Sequence, residues 1–354
     1  MRILILFLFI TNIFANEFNN TDINTDINSD TYESDVYTLD LPQNITEENI
    51  SENVNEEIIH YTDNINIAII LDKKKFFKFI PSILNSINAY MIKKDINYNI
   101  KLFDKNDSLD EITSNYKYIF AYFTNADEVK VLEKYSENYF FIPTLSKNQV
   151  SSTSKNIFFG GIDYKKQISK LNQFISDKTI IIYEDKDLSK YITTLINEEL
   201  LEPVVIRKYP IKYTKEYNNI FVYLNTNIIN TAQILANFTY HQIETKAILT
   251  TQINYTPLLF SLTNKDSIKN VILANSIFNI SPVIEDNNNN VGSDIKFNWL
   301  NYTTSVLLNL AYNLQTDENR YFLNDFILYI FNNQVEYKVN LYKVFKNGFI
   351  KIED

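Results

Sequence analysis

From Ile65 onward, short runs of apolar, largely β-branched residues alternate with segments whose apolar positions recur every three or four residues, and this alternation restricts the fold more than any other feature of the chain. A run that is apolar at every position makes a strand buried on both faces, and the helical segments between such runs supply the two covers. The pattern therefore predicts parallel sheets wrapped by helices. In the first unit, INIAIIL over 65–71 reads as a buried strand. Phe76, Ile80, Ile83, Leu84, Ile87, Tyr90 and Met91 then line one face of a helix near 81–93, and a second strand is expected over 96–103. Ser108 opens a helix carrying Leu109 and Ile112; a strand follows over 118–123, then a helix through Val129, Leu132 and Tyr135, and a strand over 139–142 that stops at Pro143.

A polar loop, 144–156, leads to a short strand over 157–159. Gly160-Gly161 allows a backbone turn that other residues resist, and Asp163 is placed as the N-cap of a helix bearing Ile168, Leu171, Phe174 and Ile175. The alternation continues with strands over 179–183, 204–209, 220–224, 247–250 and 271–274, and helices over 188–200, 228–238, just past Pro257, and 297–314. The end, 334–345 and 349–352 around Asn347-Gly348, predicts an antiparallel hairpin, because Asn-Gly suits a tight two-residue turn.

Composition removes several kinds of chemistry. With no cysteine, the chain has no thiolate nucleophile, no cysteine-type zinc or iron–sulfur site and no disulfide. The four glycines, Gly160, Gly161, Gly292 and Gly348, do not fall as a P-loop, a dinucleotide fingerprint or a nucleophile elbow. His241 stands at an expected helix end, the place of a capping or surface residue rather than a base. The acid- and Asn-rich stretch 285–294 lacks the ligand spacing of an EF-hand and reads as a flexible surface loop. Outside 73–78 no dense Lys/Arg stripe speaks for nucleic acid. No cofactor, no metal and no catalytic residue are expected.

The first fifteen residues, MRILILFLFITNIFA, have one cation, a short apolar run and a small residue at Ala15, the form of a signal peptide cleaved near Ala15 for export to the periplasm. The run is too short for a bilayer span, so no stable membrane insertion is expected. Residues 16–64 hold thirteen acids and no Lys or Arg, which leaves the remainder nearly neutral although the whole chain carries −10. That stretch reads as a disordered acidic tether, with Asn19 and Asn49 in acid-preceded glycosylation sequons.

The order of these units resembles the type I periplasmic-binding-protein-like family, which includes branched-chain amino-acid binding proteins and the C-terminal domain of the penicillin-binding-protein activator. The resemblance rests on INIAIIL, on SILNSINAYMIKKDINYNIKLFD, on YIFAYFTNADEVKVLEKYSENYFFIPTLS, on NIFFGGIDYKKQISKLNQFI and on NQVEYKVNLYKVFKNGFIKIE, spread over 65–354. It implies an α/β fold of two Rossmann-like lobes joined by three crossover strands. Lobe 1 would take about 65–158 and 275–332, and lobe 2 about 159–274 and 333–354. It also implies a ligand cleft at the strand ends, lined in lobe 1 by Thr124, Asn125, Thr144 and Ser146 and in lobe 2 by Asp163, Tyr164, Asn225, Thr226, Thr251 and Gln252. Thr124, Asp163 and Thr226 serve equally well as helix caps. After the first strand, where the family has small residues, Asp72-Lys73-Lys74-Lys75-Phe76-Phe77 either points away or narrows the cleft. The implied partner is a small polar ligand or, with a degenerate cleft, a cell-envelope protein.

Overall fold

The computed structural model describes residues 64–278, 280–346 and 348–352. The expected signal peptide, acidic tether and both sequons lie outside the described residues.

In chain order the elements are β1 (Ile65–Leu71), α1 (Lys73–Phe76), α2 (Ile80–Lys94), β2 (Tyr98–Asp104), α3 (Leu109–Asn115), β3 (Tyr118–Tyr122), α4 (Ala126–Lys130), β4 (Tyr139–Ile142) and β5 (Ile157–Phe159). Then come α5 (Tyr164–Asn172), β6 (Thr179–Tyr183), α6 (Asp187–Glu199), β7 (Val204–Lys208), β8 (Phe221–Asn225), α7 (Ile228–Tyr240), β9 (Ala247–Thr250), α8 (Leu258–Leu262), α9 (Lys265–Ile268) and β10 (Val271–Asn275). The chain closes with α10 (Pro282–Asn290), α11 (Trp299–Gln315), β11 (Phe322–Leu323), β12 (Leu328–Phe331), β13 (Gln334–Glu336), β14 (Asn340–Phe345) and β15 (Gly348–Lys351).

Two mixed sheets result. The first runs β11-β12-β13-β5-β4-β3-β1-β2 and the second β15-β14-β10-β9-β8-β6-β7. In the first, β1 to β5 are parallel, and the β11–β12–β13 end is antiparallel within itself. In the second, β6 to β10 are parallel and β14 and β15 are antiparallel additions. The period of two along each strand sends neighbouring side chains to opposite covers. Ile67 and Ile69 enter the core that includes α2 and α11, whereas Ala68 and Ile70 enter the core that includes Ile112 and Val129. Ile180 and Ile182 are likewise divided from Ile181 across the second sheet. Each of these isoleucines is at most 1% exposed, and burial at that level contributes roughly 1.5–3 kcal/mol apiece.

Three expectations are corrected. Gly160 and Gly161 have no left-handed φ, since Gly292 is the glycine with positive φ. What they supply is close approach: a Cβ at 161 would stand 2.1 Å from the Leu145 carbonyl carbon, and one at 160 would stand 2.6 Å from Leu307 Cδ1. The stretch from 282 to 290 is helix α10, capped by Ser281 with Pro282 in its first turn, rather than a flexible loop. Glu285 there pairs with Lys296 at 3.1 Å. The terminal hairpin is shorter than expected, because β13 belongs to the first sheet and the chain passes to the second through Tyr337–Val339, giving β14 and β15 alone as the hairpin. The hairpin of β11 and β12 carries no counterpart in the sequence reading.

Candidate functional site

Four of the ten candidate residues follow β3 and β4 in the first lobe, and each is bound into local structure. Asn125, not Thr124, caps α4: its side chain accepts from Glu128 N at 2.9 Å while the Glu128 carboxylate accepts from Thr124 N and Asn125 N. This reciprocal arrangement satisfies N–H groups that the helix leaves unpaired. Thr124 is exposed, and Lys75 Nζ donates to its Oγ1 at 3.0 Å. The Thr144 hydroxyl donates to the Phe123 carbonyl. Ser146 is buried and shares the Gln149 Oε1 acceptor between its N–H and its hydroxyl.

The bulky segment after β1 neither fills the cleft with phenylalanine nor turns wholly away. Phe76 enters the core edge-to-face with Tyr122, and Phe77 is 74% exposed. Asp72 caps α1 and pairs with Lys105 at 2.9 Å; the N–H of Lys75 and the Lys105 ammonium hold its carboxyl below the usual range. Lysine, not aromatic bulk, therefore sits on Thr124.

The other six candidates lie at the C-terminal strand ends of the second sheet or at the first crossing into it. Asp163 caps α5 by accepting from Lys165 N at 3.0 Å, and it also accepts from Asn148 Nδ2 of the first lobe at 2.8 Å. Tyr164 is buried against Ile168 and the second sheet, and burial pushes its hydroxyl far above the ordinary tyrosine range. Thr226 does not cap α7; Asn227 does, and the Thr226 hydroxyl lies 2.7 Å from that of Thr231.

Asn225 donates through Nδ2 to the Ser189 carbonyl and to Thr193 Oγ1. Ser189 in turn donates to Asn225 O at 2.6 Å and accepts from Glu184 N at 2.9 Å. Gln252 accepts through Oε1 from Gln167 Nε2 at 2.6 Å and from Ser276 N at 3.2 Å, and its own N–H donates to Gln167 Oε1. Thr250, Asn254 and Thr226 are tied together by the Asn254 amide.

This layer is saturated on one side and bare on the other. Asn225 Oδ1, Thr251 Oγ1, Gln252 Nε2, Asn254 Oδ1 and both polar atoms of Asn340 are buried and have no hydrogen-bond partner. Each such atom costs roughly 1–3 kcal/mol if it stays unpaired, so native folds keep few of them and seldom gather them. Among the described residues the remaining orphans, on Tyr118, Asn288 and Ser305, lie on other elements.

Sequence reasoning missed Glu184, Asn254 and Asn340. Glu184 directly follows a parallel strand, the same position that singled out Asn225, and that rule applied evenly finds it. Asn340 is legible only from register, because it stands opposite Asn275 across β14 and β10.

Two surface cavities, of about 460 and 350 Å³, lie away from all ten candidates: one is lined by residues such as Lys101, Phe103 and Glu111, the other by residues such as Tyr139, Asn313 and Arg320. Among the described residues no cluster of three or more metal-binding side chains forms, and no helix is long and apolar enough to cross a membrane. His241 is the C-cap of α7, is exposed and stacks on Tyr213. The gathered groups are amides and hydroxyls, suited to recognition by hydrogen bonds.

No protein-family model and no curated protein sequence matches the chain. Solved structures do. The leucine binding protein LivK of Thermotoga maritima aligns with TM-score 0.54 at 11% identity over 82% of this chain and 98% of its own. The C-domain of LpoA from Haemophilus influenzae, described as a regulator of PBP1A, aligns with TM-score 0.56 at 13% identity over 81% of this chain and 100% of its own. The branched-chain amino acid substrate binding protein LivJ of Streptococcus pneumoniae, solved with isoleucine, gives 0.55 at 10% over 82% and 100%. At such identities the likeness speaks for architecture alone: this chain has the two-lobed type I periplasmic-binding-protein-like fold.

Proposed function

We propose that the chain is an exported, non-catalytic binding protein that holds a small polar ligand between its lobes, with a signal peptide cleaved near Ala15 and an acidic tether ahead of the folded part. The observation that carries this reading is the gathering of unpartnered buried polar atoms on Asn225, Thr251, Gln252, Asn254 and Asn340 at one edge of the second sheet. A ligand that pairs with them recovers hydrogen bonds that the protein alone leaves unmade. The likeness to substrate-binding proteins solved with amino acids supports the same class of function. Native mass spectrometry of protein purified from its host is expected to show a bound small molecule. A folded Asn225→Leu/Thr251→Val double variant is expected to lose it, and equal retention by that variant removes these residues from the site.

A second reading, a cell-envelope scaffold that binds a protein partner, has one observation in its favour. On β12, Tyr329 and Phe331 are 63% and 72% exposed, and Ile327 and Tyr321 beside them are also exposed. Exposed aromatic area of this kind marks protein contacts more often than solvent-facing surface. The likeness to the LpoA C-domain accords with it. Crosslinking in the native envelope that maps to Tyr329 and Phe331, from protein carrying no small molecule, favours the scaffold.

A further inference from the structure

The unpartnered atoms have a polarity, and Glu184 has a position, that together name the ligand's chemistry. This inference rests on the proposed binding function and deepens it. Asn225 and Asn254 each spend their amide N–H groups on a backbone carbonyl, of Ser189 and Thr226 respectively, and on a threonine hydroxyl, of Thr193 and Thr250, which fixes their orientation and turns the carbonyl oxygens away from those bonds. The orphan atoms of these two residues are therefore acceptors. Thr251 Oγ1 and Asn340 Oδ1 can accept as well; Gln252 Nε2 and Asn340 Nδ2 are confined to donating, so at this edge three strict acceptors face two strict donors.

The N-terminus of α7, thirteen residues long, would otherwise be the natural seat for an anion at this edge. Glu184 already fills it. The residue is buried, 6% exposed, and its carboxylate accepts from Asn227 N at 2.7 Å, from Asn227 Nδ2 at 3.2 Å and from Asn230 Nδ2 at 2.7 Å, with Lys186 Nζ at 3.3 Å. It belongs to the same layer as Asn225, since Ser189 bonds to both and Tyr183 and Asn225 are partners across β6 and β8.

We propose that the second sheet's edge receives the hydrogen-bond-donating end of a ligand, hydroxyl or ammonium, and that Glu184 excludes carboxylate and phosphate from this side. Acceptors facing a donor gain a bond, whereas acceptors beside a fixed negative charge repel an anion. Glu184 is thus a specificity-determining residue that acts by occupying the helix end.

The test is a thermal-shift panel on the full chain, with neutral sugars and polyols, alkyl diamines, dicarboxylates and inorganic phosphate as probes. Expected is saturable stabilisation by hydroxyl or amine probes and none by phosphate or dicarboxylates, with the apparent affinity falling at least about tenfold in Thr251→Val. Glu184→Ala is expected to gain a phosphate-dependent shift at the vacated helix end. Glu184→Gln, which keeps the size and removes the charge, serves if the alanine variant does not fold, and is expected to relax the exclusion of anions. Stabilisation of the unaltered chain by anions alone overturns this inference while leaving a binding protein standing. Silence from every probe class in a chain that carries a small molecule when purified from its host also overturns it, and silence together with no such molecule removes the binding reading as well. Folded Glu184 variants that still reject phosphate refute the role given to Glu184.

Discussion

The strand ends of the two sheets are built from similar residues and reach opposite states. After β3 and β4, Thr124, Asn125, Thr144 and Ser146 have their hydrogen bonds met by Lys75, Glu128, Phe123 and Gln149, close in sequence or on the neighbouring loop. After β8 and β9, Asn225, Thr251, Gln252 and Asn254 are all buried, and each retains an atom with no partner. The first edge closes on itself as a set of caps, and the second keeps unspent hydrogen-bonding capacity. Polar residue type at a strand end thus does not decide between cap and site; what decides is whether the fold itself consumes the hydrogen bonds.

Substitutions can break or sharpen this contrast. The largest effect is expected at the crossing between the two edges, where Gly161→Ala forces a methyl group against the Leu145 backbone and costs about 3 kcal/mol, read as a lower urea midpoint with unchanged slope. Gly348→Ala, at a site with open space around it, is the matched control and should fall within about 0.5 kcal/mol of the unaltered chain. Next, Asn125→Ala dismantles the capping box of the first edge and is expected to cost about 1 kcal/mol by the same measurement.

A smaller effect is expected from acid. Lys190 and Lys208 hold the Asp185 carboxyl, beside Glu184, down to about 2, below the ordinary aspartate range. Because the folded state depresses this pKa, the stabilisation is present above the unfolded value and disappears as pH falls through about 2. The difference in urea midpoint between the unaltered chain and Asp185→Asn should therefore be open at about pH 5 and close on approach to that point. Smallest of all, Thr251→Val at the second edge removes a buried hydroxyl that bonds to nothing and should leave stability unchanged or slightly raised. A loss as large as that of Asn125→Ala would erase the contrast between the edges.

How far the sequence carries varies with the physical signal behind each element. INIAIIL and the runs at 139–142, 157–159, 179–183 and 247–250 coincide with β1, β4, β5, β6 and β9 residue for residue, because a strand buried almost throughout is a dense apolar or β-branched run bounded by polar or turn residues. Asp163 as a cap is equally legible. The β11–β12 hairpin is missed because β11 is two residues long, although Leu328-Tyr329-Ile330-Phe331 alternates between buried and exposed; the turn from β12 to β13, where Asn332 and Asn333 both take positive φ, is missed with it. Residues 282–290 deceive for another reason: four consecutive asparagines suggest a loop, yet Ser281, Pro282 and the buried Ile284 fix a helix start that composition conceals. At the candidate site, residue type at strand ends is readable, but not which atoms remain unpaired. That depends on Ser189, Gln167, Ser276 and Asn340, which come from separate elements.

The crossing at Gly160 and Gly161 has one more consequence. Gly161 N donates to Leu145 O, Gln334 Nε2 donates to Gly161 O and Tyr337 OH donates to Gly160 O, so the first and third passages between the lobes are fastened to one another at a single spot. Any swing of one lobe against the other then has a pivot there instead of three independent straps. The Gly161 amide should stay protected from deuterium while amides at the rim exchange.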